Sequence, residues 1–219
     1  EQFTWNDNII AAFSCVLVDE INYYNCRKVE RDEKVNGSAG YTVLCFSIEE
    51  MEKSTFYNGY TYVDTMNRQA TDYYLKITHD RYKEMCGDRL GKSIKGIFTD
   101  EPHRGALMDG FGIENKDSSY LAPWTPKLFA AFEEKFGFDL IPHLPELFLR
   151  KDGEAVSHVK WCYVELLQDL FIENFAKPSL EWCRENNIQL TGHILHEDSL
   201  TAQVAMSGSV MRYYEYMDI

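Results

Sequence analysis

The sequence predicts an α/β fold: a parallel sheet with helical crossovers, preceded by a β-rich segment. Three observations carry this. Residues 51–219 read as strand, helix, strand, helices, strand, helix, an alternation that lays strands parallel with helices as crossovers. Two short apolar runs, Ile94 to Thr99 and Ile188 to Gly192, have the length of buried strands and lead into clusters of acids. All prolines lie at 102 or beyond, whereas residues 1–50 are dense in β-branched and aromatic residues. Two regions follow: a β-rich segment over 1–50 and an α/β region over 51–219.

Ile9 to Val18 reads as a strand, with Ile21 to Val29 as its hairpin partner across Asp19-Glu20. Asn36-Gly37 is a strong turn signal, and Tyr41 to Ile48 reads as the next strand. Thr65 or Asn67 can cap a helix whose inward stripe is Ala70, Tyr73, Tyr74, Ile77 and Met85, stopping at the glycines 87–91. After the strand at 94–99, Pro102 cannot donate to a ladder and pushes Glu101 towards extended backbone. Residues 103–122 are polar and glycine-rich, with Asp109, Glu114 and Asp117. A loop this long inside a domain is more often functional than idle. Thr125 and Pro126 fit the cap and first turn of a helix with Leu128, Phe129, Phe132 and Phe136 inside and Gly137 at its end. From Glu154, apolar residues recur at helical spacing as far as Phe175, and Pro178 kinks or restarts that helix. A turn at Asn186-Asn187, the strand 188–192 and a helical segment near 200–215 complete the chain.

The 45% hydrophobic and 14% aromatic content indicates a packed core. A net charge of −13 and a pI near 4.9 argue against nucleic acid or an anionic membrane as partner. No stretch is apolar for long enough to span a bilayer. The six cysteines form no Cys-x-x-Cys pair. Scattered thiols point to a cytoplasmic setting, with a secreted or periplasmic one left open. The start at Glu1 without methionine reads as an excised piece of a longer protein. No Gly-x-Gly-x-x-Gly, P-loop or Gly-x-Ser-x-Gly occurs, so nucleotide cofactors and serine-hydrolase chemistry have no support.

The chemistry that stands out is a carboxylate pair from two successive strand exits, Glu101 and Glu197. Glycosidic cleavage needs one acid to protonate the leaving oxygen and a second carboxylate as base or nucleophile. Asp100 beside Glu101 is a like charge of the kind that raises a carboxyl pKa. The bland reading makes Asp-Glu-Pro a turn and Glu197 the acid that starts a helix. His193 either bonds a substrate hydroxyl or orients a carboxylate. His193 and His196 also raise a metal-dependent hydrolase as an alternative, although His-x-x-His-Glu is neither the zincin pattern nor its inverse. Asp100, Glu101, Asp109, Glu114 and Asp117 offer oxygen ligands for calcium, without an EF-hand pattern. Phe56, Tyr57, Tyr60, Tyr62 and Trp124 suit stacking on sugar rings. Asn58 is first a turn residue and second a polar contact to substrate.

Read together, Tyr62-Val63-Asp64, Gly96-Ile97-Phe98-Thr99-Asp100-Glu101-Pro102, Pro123-Trp124-Thr125, Leu190-Thr191-Gly192-His193 with Glu197, and Tyr214-Glu215-Tyr216-Met217-Asp218-Ile219 resemble glycoside hydrolase family 106, the α-L-rhamnosidases, over about residues 40–219. The resemblance implies a (β/α)8 barrel that hydrolyses terminal rhamnosides with inversion, using two glutamates and a bound calcium. Glu101 then corresponds to the general acid and Glu197 to the base. The calcium ligands are not assigned. Asp100, His193, His196, Trp124, Asn58 and Tyr60 are the expected substrate-binding residues. Residues 1–50 become the end of a module inserted into the barrel. Only about three barrel strands are present, one somewhere in 41–64, then 94–99 and 188–192, so the fold class expected is a partial (β/α)8 barrel. Such a piece needs the remainder of the barrel or a second copy as partner, and is not expected to turn over substrate alone. The rival from another class is a non-catalytic carbohydrate-binding relative.

Overall fold

The computed structural model describes residues 3–19, 21–31, 33–35, 40–105 and 120–219. The Asn36-Gly37 turn and the acids Asp109, Glu114 and Asp117 lie outside the described residues. In chain order the elements are β1 (Ile9–Leu17), β2 (Asn22–Lys28), β3 (Thr42–Ser47), α1 (Arg68–Ile77), α2 (His79–Cys86) and β4 (Gly96–Asp100). They continue as α3 (Leu128–Phe136), α4 (Pro145–Phe148), β5 (Arg150–Lys151), α5 (His158–Phe171), α6 (Lys177–Glu185), β6 (Gln189–His193), α7 (Leu200–Met206) and α8 (Val210–Tyr214). The chain divides into two compact units, one built on residues 1–61, 110–120 and 127–163, the other on 62–109, 121–126 and 164–219.

The first unit holds a four-stranded mixed sheet in the order β3-β1-β2-β5. β1 is antiparallel to both β2 and β3, and β5 joins β2 in parallel. The β1–β2 turn closes on Asp19, whose Oδ1 accepts the N–H groups of Ile21 at 2.9 Å and Asn22 at 2.7 Å. β1 is central and buries Ala11, Ala12, Phe13, Ser14 and Cys15 in succession. One cluster gathers Ile9, Ala12, Val29 and Val35, and another gathers Cys15, Tyr23 and Leu149.

The second unit is organised on a two-stranded parallel pair, β4 with β6, in the register Thr99 to Gly192 and Asp100 to His193. Its core joins Leu75 of α1, Leu180, Trp182 and Cys183 of α6, then Ile188 and Leu190. This parallel pairing brings the C-terminal ends of two strands distant in sequence side by side, and that is what positions the site.

The (β/α)8 expectation is overturned. Among the described residues the strands form one mixed four-stranded sheet and one separate pair, not a run of parallel strands alternating with helices. β3, which the barrel reading enlisted, is committed to an antiparallel ladder with β1. Residues 54–60, also available to that reading, make a single 3-10 turn over Thr55–Tyr57, closed by a Ser54–Tyr60 bridge.

Local expectations changed for physical reasons as well. The cap of α1 is Asn67, whose Oδ1 accepts from Gln69 N–H at 3.0 Å. Thr65 instead donates to the His103 carbonyl at 2.7 Å. The buried positions of α1 are Thr71 and Leu75, while Tyr73, Ile77 and Met85 of the predicted stripe are exposed. Thr125 caps nothing; its hydroxyl donates to Asp64 Oδ2 at 2.7 Å, and α3 begins two residues later than the predicted first turn. Pro178 does restart the helical path: a π-helical segment, Ile172–Ala176, follows α5, and α6 begins at Lys177 with Pro178 in its first turn, where a missing N–H costs no helical bond. The predicted helix near 200–215 is two short ones, capped by Ser199 and Ser209.

Candidate active site

β4 and β6 both end in polar residues, and two non-glycine residues beyond them are left-handed: Glu101, directly after β4, and His196, in the turn that follows β6. Glu101 has φ 51° and His196 φ 57°. The extended backbone expected before Pro102 is therefore absent. The Glu101 N–H still donates to the His193 carbonyl at 3.1 Å, extending the β4–β6 ladder by one bond. The chain must turn away at that same residue, because Pro102 is buried and has no N–H to carry the ladder further. A non-glycine residue held there costs on the order of 1–3 kcal/mol, a strain that concentrates at functional sites. The Glu101 side chain is exposed.

His193 lies between two acids. Its Nε2 stands 3.0 Å from Asp100 Oδ1, and its Nδ1 stands 3.5 Å from Glu197 Oε1. The Tyr214 hydroxyl, at the end of α8, donates to Glu197 Oε2. Burial pushes the Tyr214 phenol up to about 12, and the hydrogen bond to Glu197 and its charge act in the same direction. Asp100, His193, Glu197 and Tyr214 thus form one continuous polar chain. The contact of His193 with Asp100 fits one of the two roles considered for it, orienting a carboxylate.

Beside this chain, His103 stacks on Tyr62 with centroids 4.1 Å apart and planes 9° from parallel. Its Nδ1 accepts the Gly105 N–H at 3.1 Å, which leaves the ring proton on Nε2. Burial pushes its pKa below 6.5, and His196 adds to the effect. Asp64 accepts from Thr125 and, at 3.1 Å, from the Met66 N–H. Burial raises the Asp64 carboxyl and these bonds pull it back. Trp124 is half-buried, and its indole N–H is buried with no acceptor among the described residues.

Of the residues read from the sequence, Asp100, His193 and Glu197 are brought into contact, and Glu101 joins them through its backbone. His196 is exposed on the same loop as Glu197. Asn58 and Tyr60 belong to the first unit. Asn58 closes the 3-10 turn with φ 54°, and Tyr60 is 73% exposed. Tyr214 and His103 were missed as site residues. The signals present were a histidine directly after Glu101-Pro102 and the position of Tyr214 at the head of the terminal motif Tyr214 to Ile219.

No group of three or more His, Cys, Asp or Glu side chains among the described residues converges as metal ligands. His193 hydrogen-bonds Asp100 through Nε2, and its Nδ1 is within ion-pair distance of Glu197. For calcium, Asp100 and Glu197 face an imidazole rather than one another. The described residues do not make an oxygen cage.

His79 carries a prediction with His103. It is buried, edge-on to Trp182 at 4.9 Å, and burial pushes its pKa below 6.5 against a smaller opposing effect of Asp80. Both histidines bind protons more weakly folded than unfolded. Their contribution to stability is complete above about 6.5 and is lost as pH falls through the lower folded values. The urea midpoint of the second unit should fall between pH 7.5 and 5.5, and His79→Gln should flatten that fall. A midpoint that does not change over this range contradicts the assignment.

No protein-family model matches the chain, and no curated protein matches it. A solved structure of a rhamnosidase from Novosphingobium sp. PP1Y is similar, with a TM-score of 0.52 and 25% sequence identity. The match covers 72% of this chain and 13% of that one, so the chain spans about an eighth of the rhamnosidase's length. Among the described residues, no helix is long and apolar enough to cross a membrane.

Proposed function

We propose that this chain carries the acid–base groups of a glycoside hydrolase that removes a terminal α-L-rhamnosyl residue with inversion, as the resemblance to family 106 implies. The observation that carries the reading is the β4–β6 register. It sets Asp100-Glu101 and His193 to Glu197 at one end of a parallel pair, in a chain similar to a rhamnosidase. In the reaction, the protonated Glu101 carboxyl gives its proton to the glycosidic oxygen as the bond from C1 to that oxygen breaks. Water attacks C1 from the opposite face and loses a proton to the Glu197 carboxylate. Sugar and alcohol leave, and proton exchange with solvent resets both acids. Inversion requires a carboxyl separation of about 6.5–9.5 Å to admit that water. Asp100 and His193 support Glu197, and Trp124 supplies an apolar face for the sugar.

The test is a panel of aryl glycosides offered to the intact protein, with the first-formed anomer read by proton NMR. Turnover of the α-L-rhamnoside with an inverted first product is expected, and Glu197→Gln should abolish it. Sugar binding by calorimetry without turnover of any glycoside would replace this reading with a carbohydrate-binding one.

A further inference from the structure

We propose that Tyr214 is a positioning residue for Glu197, holding that carboxylate aimed as the base; this rests on the glycosidase reading. The segment that presents Glu197 has no regular structure of its own. It starts at a left-handed His196, and the Glu197 side chain is 40% exposed. One fixed point is the Gln203 side-chain amide, which donates to the Glu197 carbonyl at 3.0 Å. The carboxylate itself is steered from outside that loop.

α8 is built to do the steering. Ser209 caps it, with Oγ accepting the Arg212 N–H at 3.4 Å. Arg212 grips Glu165 at 2.9 and 3.0 Å and Asp169 at 2.6 Å, both on α5. Tyr213 is fully buried and stacks on Phe171 with centroids 5.0 Å apart. A five-residue helix pinned on two sides leaves its last residue, Tyr214, little freedom except towards Glu197. The phenol donates and the carboxylate accepts, so the bond fixes where Oε2 points. With Oε2 occupied by Tyr214 and Oε1 beside His193, the carboxylate plane is set from two sides. The other groups near Glu197 are His196 and Asp198 beside it in the chain, Asp100 behind His193 on β4, and His103, whose ring feels the charge of His196.

Tyr214→Phe deletes one oxygen and keeps the ring. In the intact protein, kcat for an aryl α-L-rhamnoside should fall about tenfold with KM unchanged. The 13C resonance of the Glu197 carboxyl should shift as its phenol partner is lost, with the circular dichroism spectrum retained. An active wild type whose kcat and Glu197 carboxyl resonance are both unmoved by the substitution overturns the role of Tyr214 and leaves the glycosidase reading intact. An inactive wild type in which the resonance still moves overturns the glycosidase reading, and with it the catalytic role, but not the hydrogen bond. A covalent glycosyl adduct on Tyr214 would also overturn positioning, making the phenol a nucleophile instead.

Discussion

Glu101→Gln should slow hydrolysis of an unactivated α-L-rhamnoside by about 10²–10⁴-fold, the span of general acid catalysis. Glutamine fits the same space and polarity but has no proton to give at working pH. The loss should depend on the leaving group. A dinitrophenolate departs without protonation, so the same variant should lose no more than about tenfold on the dinitrophenyl rhamnoside. Glu197→Gln should lose on both substrates alike, because activation of water is needed whatever the leaving group. The left-handed turn at Glu101 is kept in the variant, and its N–H still reaches the His193 carbonyl, so sugar affinity should change little. Equal losses on both substrates would strip Glu101 of the acid role. Unchanged hydrolysis of the unactivated rhamnoside would remove Glu101 from the chemistry altogether.

How much of this could be read in advance depends on how local each signal is. β1, β2 and β3 announce themselves, because β-branched residues and a short Asp19 turn encode a hairpin within a few residues. The strand exits are equally local: an apolar run must stop where acids and proline begin. That is why Asp100, Glu101, His193 and Glu197 were legible as candidates. The helix caps were legible only in part: Asn67 does cap α1, but Thr65 and Thr125 satisfy partners 38 and 61 residues away rather than their own helix ends. A hydroxyl has the same look in both uses. The face of α1 was misjudged for a related reason. Thr71 is buried although polar, and Tyr73 and Ile77 are exposed although apolar, so the core of the second unit overrides the pattern. The barrel came from resemblance, not from the residues themselves. It failed where β3 found an antiparallel partner nearer in sequence. Tyr214 and His103 could not be singled out, because their roles arise only when α8 and the loop after β4 meet the end of β6.

Gly192→Ala should destabilise the second unit by about 3 kcal/mol or more, placing it among the most severe single substitutions in the chain. Gly192 sits in β6 opposite Thr99 with φ 144°, backbone that side-chain-bearing residues rarely adopt. A methyl group there would lie 2.1 Å from the Thr99 carbonyl oxygen and 2.8 Å from its nitrogen. Both are main-chain atoms of the paired strand, so no rotamer can relieve the clash. β4 and β6 would have to separate, and their register is what brings Asp100 to His193 and ties Glu101 to the His193 carbonyl. The stability loss and the loss of the site should therefore arrive together. Gly59→Ala is the control. Gly59 also has a positive φ, 84°, but nothing lies within 4 Å of an added methyl, so only a backbone cost of roughly 1 kcal/mol is expected. Urea midpoints separate the two, and hydrogen exchange of the Glu101 amide reports whether the last ladder bond survives. A Gly192→Ala protein with a wild-type midpoint and a protected Glu101 amide would mean that this strand pairing does not hold the site.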